Sequence, residues 1–224
     1  MYFYVAGDSA GGNLAAAVSL KLRDEGFAPK IKLQVLLYPA LQCLDFQLPS
    51  YKHNHNGPLT TTEMLAYSYN QYMDGKTDKI PVFVNNSHVS ASAKNALAKT
   101  HLNLDRLPKT FLEGFKRPSL DFGDEKIWSE VKDTLMNPYF SPLVAESLAD
   151  LPTAYVFTAE HDVLRDDGIL YADRLREAGN KVTHVNPDMG IHGMMSYGEF
   201  IPEARPFIDE MTMFIKNNLG ERQT

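Results

Sequence analysis

The chain has 224 residues, 44% hydrophobic and 22% charged, with a net charge of −6 and one cysteine, Cys43. That is the composition of an ordinary globular protein of one or two domains, long enough to bury a sizeable core. An acidic balance without a basic run argues against nucleic acid as a partner. No stretch reaches the roughly eighteen consecutive apolar residues of a transmembrane helix, no basic-then-apolar leader is legible, and one cysteine makes no internal disulfide.

Taken in order, Tyr2, Phe3, Tyr4 and Val5 are a continuous apolar run of β-formers, which predicts a strand buried on both faces. Gly7-Asp8-Ser9-Ala10-Gly11 follows. A helix is predicted over Asn13 to Glu25, with Leu14, Ala17, Val18 and Leu22 on its apolar face and Gly26 placed to end it. Lys32 to Tyr38 reads as a second buried strand closed by Pro39. Strand, helix and strand within about forty residues make a βαβ unit, so a parallel sheet is expected.

From Gln42 to Pro58 the sequence reads as loop. Thr60 and Glu63 stand at capping-box spacing before a helix that runs to Met73 and carries Met64, Leu65, Tyr67, Tyr69 and Tyr72. Weak periodicity and many prolines follow, so residues 57–142 are expected to be an insertion or lid. Thr153 to Ala159 predicts a third strand. Asp166 and Asp167 open a helix at its positive end, with Ile169, Ala172 and Leu175 inward and Gly179 as terminator. Lys181 to Val185 predicts a fourth, outer strand. A loop over Asn186 to Glu199 leads to a last helix, Pro206 to Leu219, burying Phe207, Ile208, Met211, Phe214 and Ile215. The fold class expected is α/β: a mostly parallel sheet with flanking helices.

The pentapeptide around Ser9 lies on a strand-to-helix corner, the context of a nucleophile elbow, and small residues at 7, 10 and 11 would let the backbone turn. A chance match occurs roughly once in twenty such chains, so the partners decide its meaning. A serine hydroxyl needs a base to attack anything, and a histidine base needs an acceptor to hold its tautomer. In a doubly wound sheet such groups gather beyond the carboxyl ends of the strands. Asp162 falls just past the third strand and His192 in the Gly-flanked loop after the fourth, giving the order Ser, Asp, His.

Alternatives exist for each. A phosphate-binding loop would need G-x-G-x-x-G or a Walker lysine, and neither is present. Asp166, Asp167 or Asp188 could supply the acid, although the first two are explained by the helix start. Of the six other histidines, none follows the last strand at a Gly-flanked turn, and His53-Asn54-His55 has no carboxylate or cysteine cluster to complete a metal site. The chemistry calls for no metal and no cofactor.

Gly7-Asp8-Ser9-Ala10-Gly11-Gly12-Asn13-Leu14-Ala15, Tyr38-Pro39-Ala40-Leu41, Asp162-Val163-Leu164-Arg165-Asp166-Asp167-Gly168 and His192-Gly193 resemble the hormone-sensitive-lipase group of α/β-hydrolases. Within it the arylacetamide deacetylases are the nearest likeness, to which Leu48-Pro49-Ser50-Tyr51 and Ser141-Pro142-Leu143 add. The resemblance runs essentially end to end. It implies Ser9 as nucleophile, Asp162 as acid, His192 as general base and a small lipophilic ester or arylamide as substrate. It also implies a setting at the lumenal side of the endoplasmic reticulum membrane, with membrane association through an N-terminal anchor that is not in this sequence.

The family further carries an upstream His-Gly-Gly-Gly whose N–H groups supply most of the oxyanion hole. Here the only Gly-Gly is at 11 and 12, which leaves the Ala10 N–H as one donor. The chain is therefore expected to be a single, incomplete domain over 1–224, the C-terminal part of a longer hydrolase or an incomplete gene model. It should be nearly inactive alone, with an unpaired hydrophobic edge at its first strand. A non-catalytic ligand-binding protein on the same fold is the rival expectation; such proteins tend to lose the triad histidine, and His192 is kept. Asn85-Asn86-Ser87 matches a glycosylation acceptor, with an ordinary polar loop as the simpler account. Tyr67, Tyr69, Tyr72, Met194 and Met195 are pocket-wall candidates that core packing would explain equally well. Acyl specificity and oligomeric state carry no signal.

Overall fold

The computed structural model describes residues 3–27 and 31–219, so Tyr2 of the first apolar run lies outside the described residues. Strands β1 (Phe3–Asp8), β2 (Ile31–Leu37), β3 (Thr153–Phe157) and β4 (Val182–Val185) lie side by side in chain order, every pairing parallel. The helices are α1 (Ala10–Asp24), α2 (Pro49–His53), α3 (Thr62–Asp74), α4 (Ile80–Val84), α5 (Ala91–Lys99), α6 (Glu125–Leu135), α7 (Arg165–Glu177) and α8 (Arg205–Leu219).

Parallel neighbours need crossovers, and crossovers of one hand that advance in one direction put their helices on one face. Accordingly Ala16 and Leu20 of α1 and Leu170 and Leu175 of α7 share one core with Leu36, Ala154 and Val156 of the sheet. Residues from the long β2–β3 connection join it, among them Leu65, Phe83, Leu97 and Leu135. The opposite face holds Val35, Tyr38, Tyr155 and Phe157 under α8, whose Phe207, Ile208, Met211, Phe214 and Ile215 are only partly buried.

β1 is the edge expected of the first strand but departs from the burial its apolar run predicts. It was expected to be buried on both faces, but Phe3 and Tyr4 are each 50% exposed. Among the described residues it has one strand neighbour, β2, and so forms an edge. α1 also differs. It begins at Ala10, and its buried residues are Gly12, Asn13, Ala15, Ala16, Ala17, Ser19 and Leu20; Ala17 is buried as expected, while Leu14 and Val18 are exposed. The reason is close approach: a Cβ on Gly12 would lie 2.7 Å from the Pro39 Cβ. The first turn must be small on the side that faces the sheet, and periodicity weighted by hydrophobicity favours the stripe of Leu14 and Val18 instead.

The segment after β2 is not a plain loop. Leu41 to Phe46 are buried and α2 follows. Buried backbone without a ladder must find partners elsewhere, and the Gln42 side chain supplies several. Its Oε1 accepts from Leu44 N–H and Asp45 N–H at 2.8 Å each, and its Nε2 donates to the Asp45 carbonyl. Asp167 Oδ2 accepts from the Leu41 and Gln42 N–H groups, and its carboxylate also takes the Gln42 amide and the Tyr51 hydroxyl. Asp166 and Asp167 thus do more than start α7: both are fully buried. Burial pushes Asp167 up to about 8 against those hydrogen bonds. The cap of α3 shifts by one residue, with Thr61 rather than Thr60 accepting from Met64 N–H and Gly75 ending the helix in the left-handed region.

Candidate active site

The corner between β1 and α1 is built from backbone constraints. Ser9 has φ 54° and ψ −119°, a region non-glycine residues avoid. Such strain persists where the surroundings over-determine it, and here they do. Ser9 N–H donates to the Leu37 carbonyl at 2.9 Å, and the Ser9 carbonyl accepts from Asn13 and Ala40 N–H at 3.2 Å each. A Cβ at Gly7 would fall 2.1 Å from the Gly11 carbonyl oxygen, so residue 7 must be glycine. Gly11 itself is under no such demand, since its Cβ would meet only Asp8 Oδ1 at 3.8 Å. Among the glycines, clearance therefore rests on residues 7 and 12 and not on 11.

Asp162 and His192 reach the same place from the other half of the sheet. The loops after β3 and β4 are joined by a parallel bridge between His161 and Ile191, with His161 N–H donating to the Gly190 carbonyl at 2.8 Å. Gly190 is tightly enclosed; a Cβ there would lie 2.9 Å from Pro187 Cγ and 3.1 Å from Ala159 Cα. His192 Nδ1 is 2.7 Å from Asp162 Oδ2, and His192 Nε2 is 3.0 Å from Ser9 Oγ. An ionised carboxylate only accepts, so Nδ1 carries the proton and Nε2 is left to accept from the serine hydroxyl. Asp162 Oδ1 accepts from Leu164 N–H at 3.0 Å, which fixes the carboxylate plane. Asp162 is 1% exposed and His192 8%.

The rival residues are engaged elsewhere. Asp188 is exposed, and Asp166 and Asp167 face the 41–51 segment. His88 is buried against the carbonyls of Cys43 and Val82 and stacks on Phe83 at 4.0 Å. Its burial lowers it to about 4, so the ring is neutral. His184 Nε2 bonds Thr158 Oγ1. Among the described residues no group of three or more His, Cys, Asp or Glu is arranged to hold a metal, and no helix is long and apolar enough to cross a membrane.

A cavity of about 210 Å³ opens beside Ser9, walled by Ala10, Leu14, Ala40, Leu65, Tyr69 and Tyr72 with Asn13 and Ser68. Ala10 is the first residue of α1, where N–H groups have no carbonyl a turn earlier to bond. Of the aromatic candidates, Tyr69 and Tyr72 line the cavity and Tyr67 does not. Met194 and Met195 belong to the core under α8. Asn13 was missed. Its Nδ2 donates to the carbonyls of Ala40 (2.7 Å) and Phe140 (2.9 Å), and Phe140 stacks on Tyr72 at 4.8 Å and 9°. An amide directly after two glycines, on a helix face otherwise made of small residues, was the available signal.

The chain matches the family described as alpha/beta hydrolase fold over residues 2–112 and 105–196. It is 40% identical to neutral cholesterol ester hydrolase 1 of Rattus norvegicus, over 86% of this chain and 48% of that protein. To arylacetamide deacetylase of Oryctolagus cuniculus it is 37% identical, over 88% and 50%. Among solved structures, a thermostable esterase from Pseudomonas putida superposes with a TM-score of 0.53 at 31% identity, covering 85% of this chain and 42% of the esterase. The chain spans about half the length of the curated relatives it matches.

Proposed function

Because the chain belongs to the α/β hydrolase fold family, we propose that it carries the nucleophile, acid and base of a serine ester hydrolase. The observation that supports this best is the unbroken hydrogen-bonded path from Ser9 through His192 to Asp162, at 3.0 and 2.7 Å. His192 Nε2 takes the Ser9 proton as Oγ attacks the acyl carbonyl, and Asp162 stabilises the imidazolium. The same proton then goes to the leaving alcohol or amine as the tetrahedral centre collapses to an acyl-enzyme. Water activated by His192 hydrolyses that ester and restores Ser9.

The Ala10 N–H, at the positive end of α1, donates to the oxyanion. The apolar cavity beside Ser9 takes the lipophilic part of a carboxylic ester or arylamide, a class that the names of the relatives support. Loss of a single oxyanion donor typically costs on the order of a hundredfold or more in turnover. With Ala10 as its donor, this chain by itself should turn over slowly.

A fluorophosphonate probe tests the nucleophile without requiring turnover. Labelling should map to Ser9 and vanish in Ser9→Ala and His192→Ala, while a short chromogenic ester is cleaved slowly. Fast cleavage that disappears in Ser9→Ala would overturn the need for further oxyanion donors. A folded, unlabelled chain that still bound a lipophilic ligand would overturn the enzyme and favour a receptor-like protein on the same fold.

A further inference from the structure

Tyr38 directly follows β2 with φ +35° and is fully buried. A bulky aromatic in the left-handed region is a genuine outlier, and strain of this kind marks places where the fold holds a side chain for a purpose. The strained backbone delivers the ring to the general base: the Tyr38 and His192 ring centroids are 4.8 Å apart at 55°. At the far end of the ring the hydroxyl lies 2.9 Å from Ser196 Oγ, and Ser196 Oγ lies 3.0 Å from Asp8 Oδ2.

The direction of these bonds follows from what each group can do. An ionised carboxylate only accepts, so the single Ser196 proton goes to Asp8. Ser196 Oγ must then accept from the Tyr38 hydroxyl. Tyr38 stays a donor throughout the working range, because burial pushes it up to about 12. Asp8 is the residue before the nucleophile and Ser196 lies on the loop that carries the base. The chain therefore closes a ring of contacts from Ser9 to His192, along the loop to Ser196, across to Asp8 and back.

We propose that Tyr38 is a positioning residue for His192, tethered through Ser196 to Asp8, which locks the loop of the base to the strand of the nucleophile. This rests on His192 being the base. Asp162 holds one nitrogen of the imidazole but leaves the ring free to tilt about that bond. Tyr38 packs against the imidazole and limits the tilt, keeping Nε2 aimed at Ser9 Oγ. Ser196 and Asp8 are exposed, so water competes for the outer bonds and the effect is one of alignment rather than of charge.

The test uses Tyr38→Phe and Ser196→Ala, which keep the ring and the loop, together with their double variant. The rate of Ser9 phosphonylation should fall about two- to tenfold in each single variant, the net range of one hydrogen bond, because water competes for the exposed Ser196–Asp8 bond, with probe affinity unchanged. The double variant should fall no further, because both cuts break the same chain. In parallel, NMR of histidine-labelled protein should show the His192 Nδ1 proton exchanging with water faster in both variants. Additive losses, or an unchanged exchange rate, would overturn the tether. If the probe labels nothing even in the unaltered chain, the hydrolase function falls, and the exchange rates alone still decide whether Tyr38 positions the ring.

Discussion

β1, which leads to Ser9, and β3, which leads to Asp162, run parallel with β2 between them, and they differ in how they are held. Ala154 to Phe157 of β3 are wholly buried between two strands and two helical faces, whereas Phe3 and Tyr4 of β1 are half exposed on an edge. Asp162 is placed by packing. Ser9 is placed by backbone: the bonds from Ser9 to Leu37, Asn13 and Ala40, and the clearance at Gly7. The two halves should therefore fail in different ways.

Chemistry at the packed half can be removed without moving it. In Asp162→Asn the amide oxygen still accepts from Leu164 N–H, but the imidazole is left with the wrong tautomer. Phosphonylation of Ser9 should drop by about 10⁴-fold, the loss known for this change in a serine protease triad, with the melting temperature little altered. A drop below tenfold would place the acid elsewhere. At the backbone half the opposite should hold. Gly7→Ala drives a Cβ to 2.1 Å from a main-chain oxygen. The chain should lose about 3 kcal/mol in urea unfolding, together with its labelling. Stability unchanged would mean that the corner relaxes and is not pinned as described.

The connection between β2 and β3 should fail in a third way, by acid. His88 holds the buried segment after β2 through the Cys43 carbonyl, and its folded value of about 4 lies below the ordinary 6.5. The unfolded chain therefore binds the extra proton between these values. The contribution is fully present above pH 6.5 and is lost as pH falls toward 4, by roughly 3 kcal/mol for the pair of values. Urea titrations at pH 7 and pH 4.5 should show this loss shrink in His88→Gln. An equal loss in both proteins would assign the acid sensitivity to other groups.

Much of this molecule was legible because its motifs are local. Strand, turn and helix follow one another within residues 3–24, and Asp162 and His192 lie in the loops after β3 and β4, so chain order together with the family resemblance singled them out. What was not legible depends on neighbours distant in sequence. The exposure of β1 is a property of the sheet's order, and no pattern within residues 3–8 encodes it. Leu14 and Val18 read as core because they are large and apolar at helical spacing, while contact with Pro39 demanded a glycine at 12 on the other stripe. Asp166 and Asp167 read as helix-start charges, and their partners Ser50, Leu41, Gln42 and Tyr51 lie more than a hundred residues earlier. Tyr38 and Ser196 are separated by 158 positions, and neither is unusual as a letter in the sequence.

The smallest effect separates two glycines that the pentapeptide treats alike. Gly7 and Gly11 flank Ser9 symmetrically in sequence, but only Gly7 faces backbone. Gly11 lies in the first turn of α1 at an ordinary negative φ, and the atom its Cβ would meet is a side-chain oxygen at van der Waals distance. Gly11→Ala should therefore leave phosphonylation unchanged and add up to about 1 kcal/mol, because alanine gives up less chain entropy on entering a helix. If instead Gly11→Ala folds well but loses reaction with bulky acyl esters and keeps it with small ones, the glycine serves the substrate and not the corner. The edge half of the site would then have a shape requirement of its own, distinct from the backbone geometry that holds Ser9.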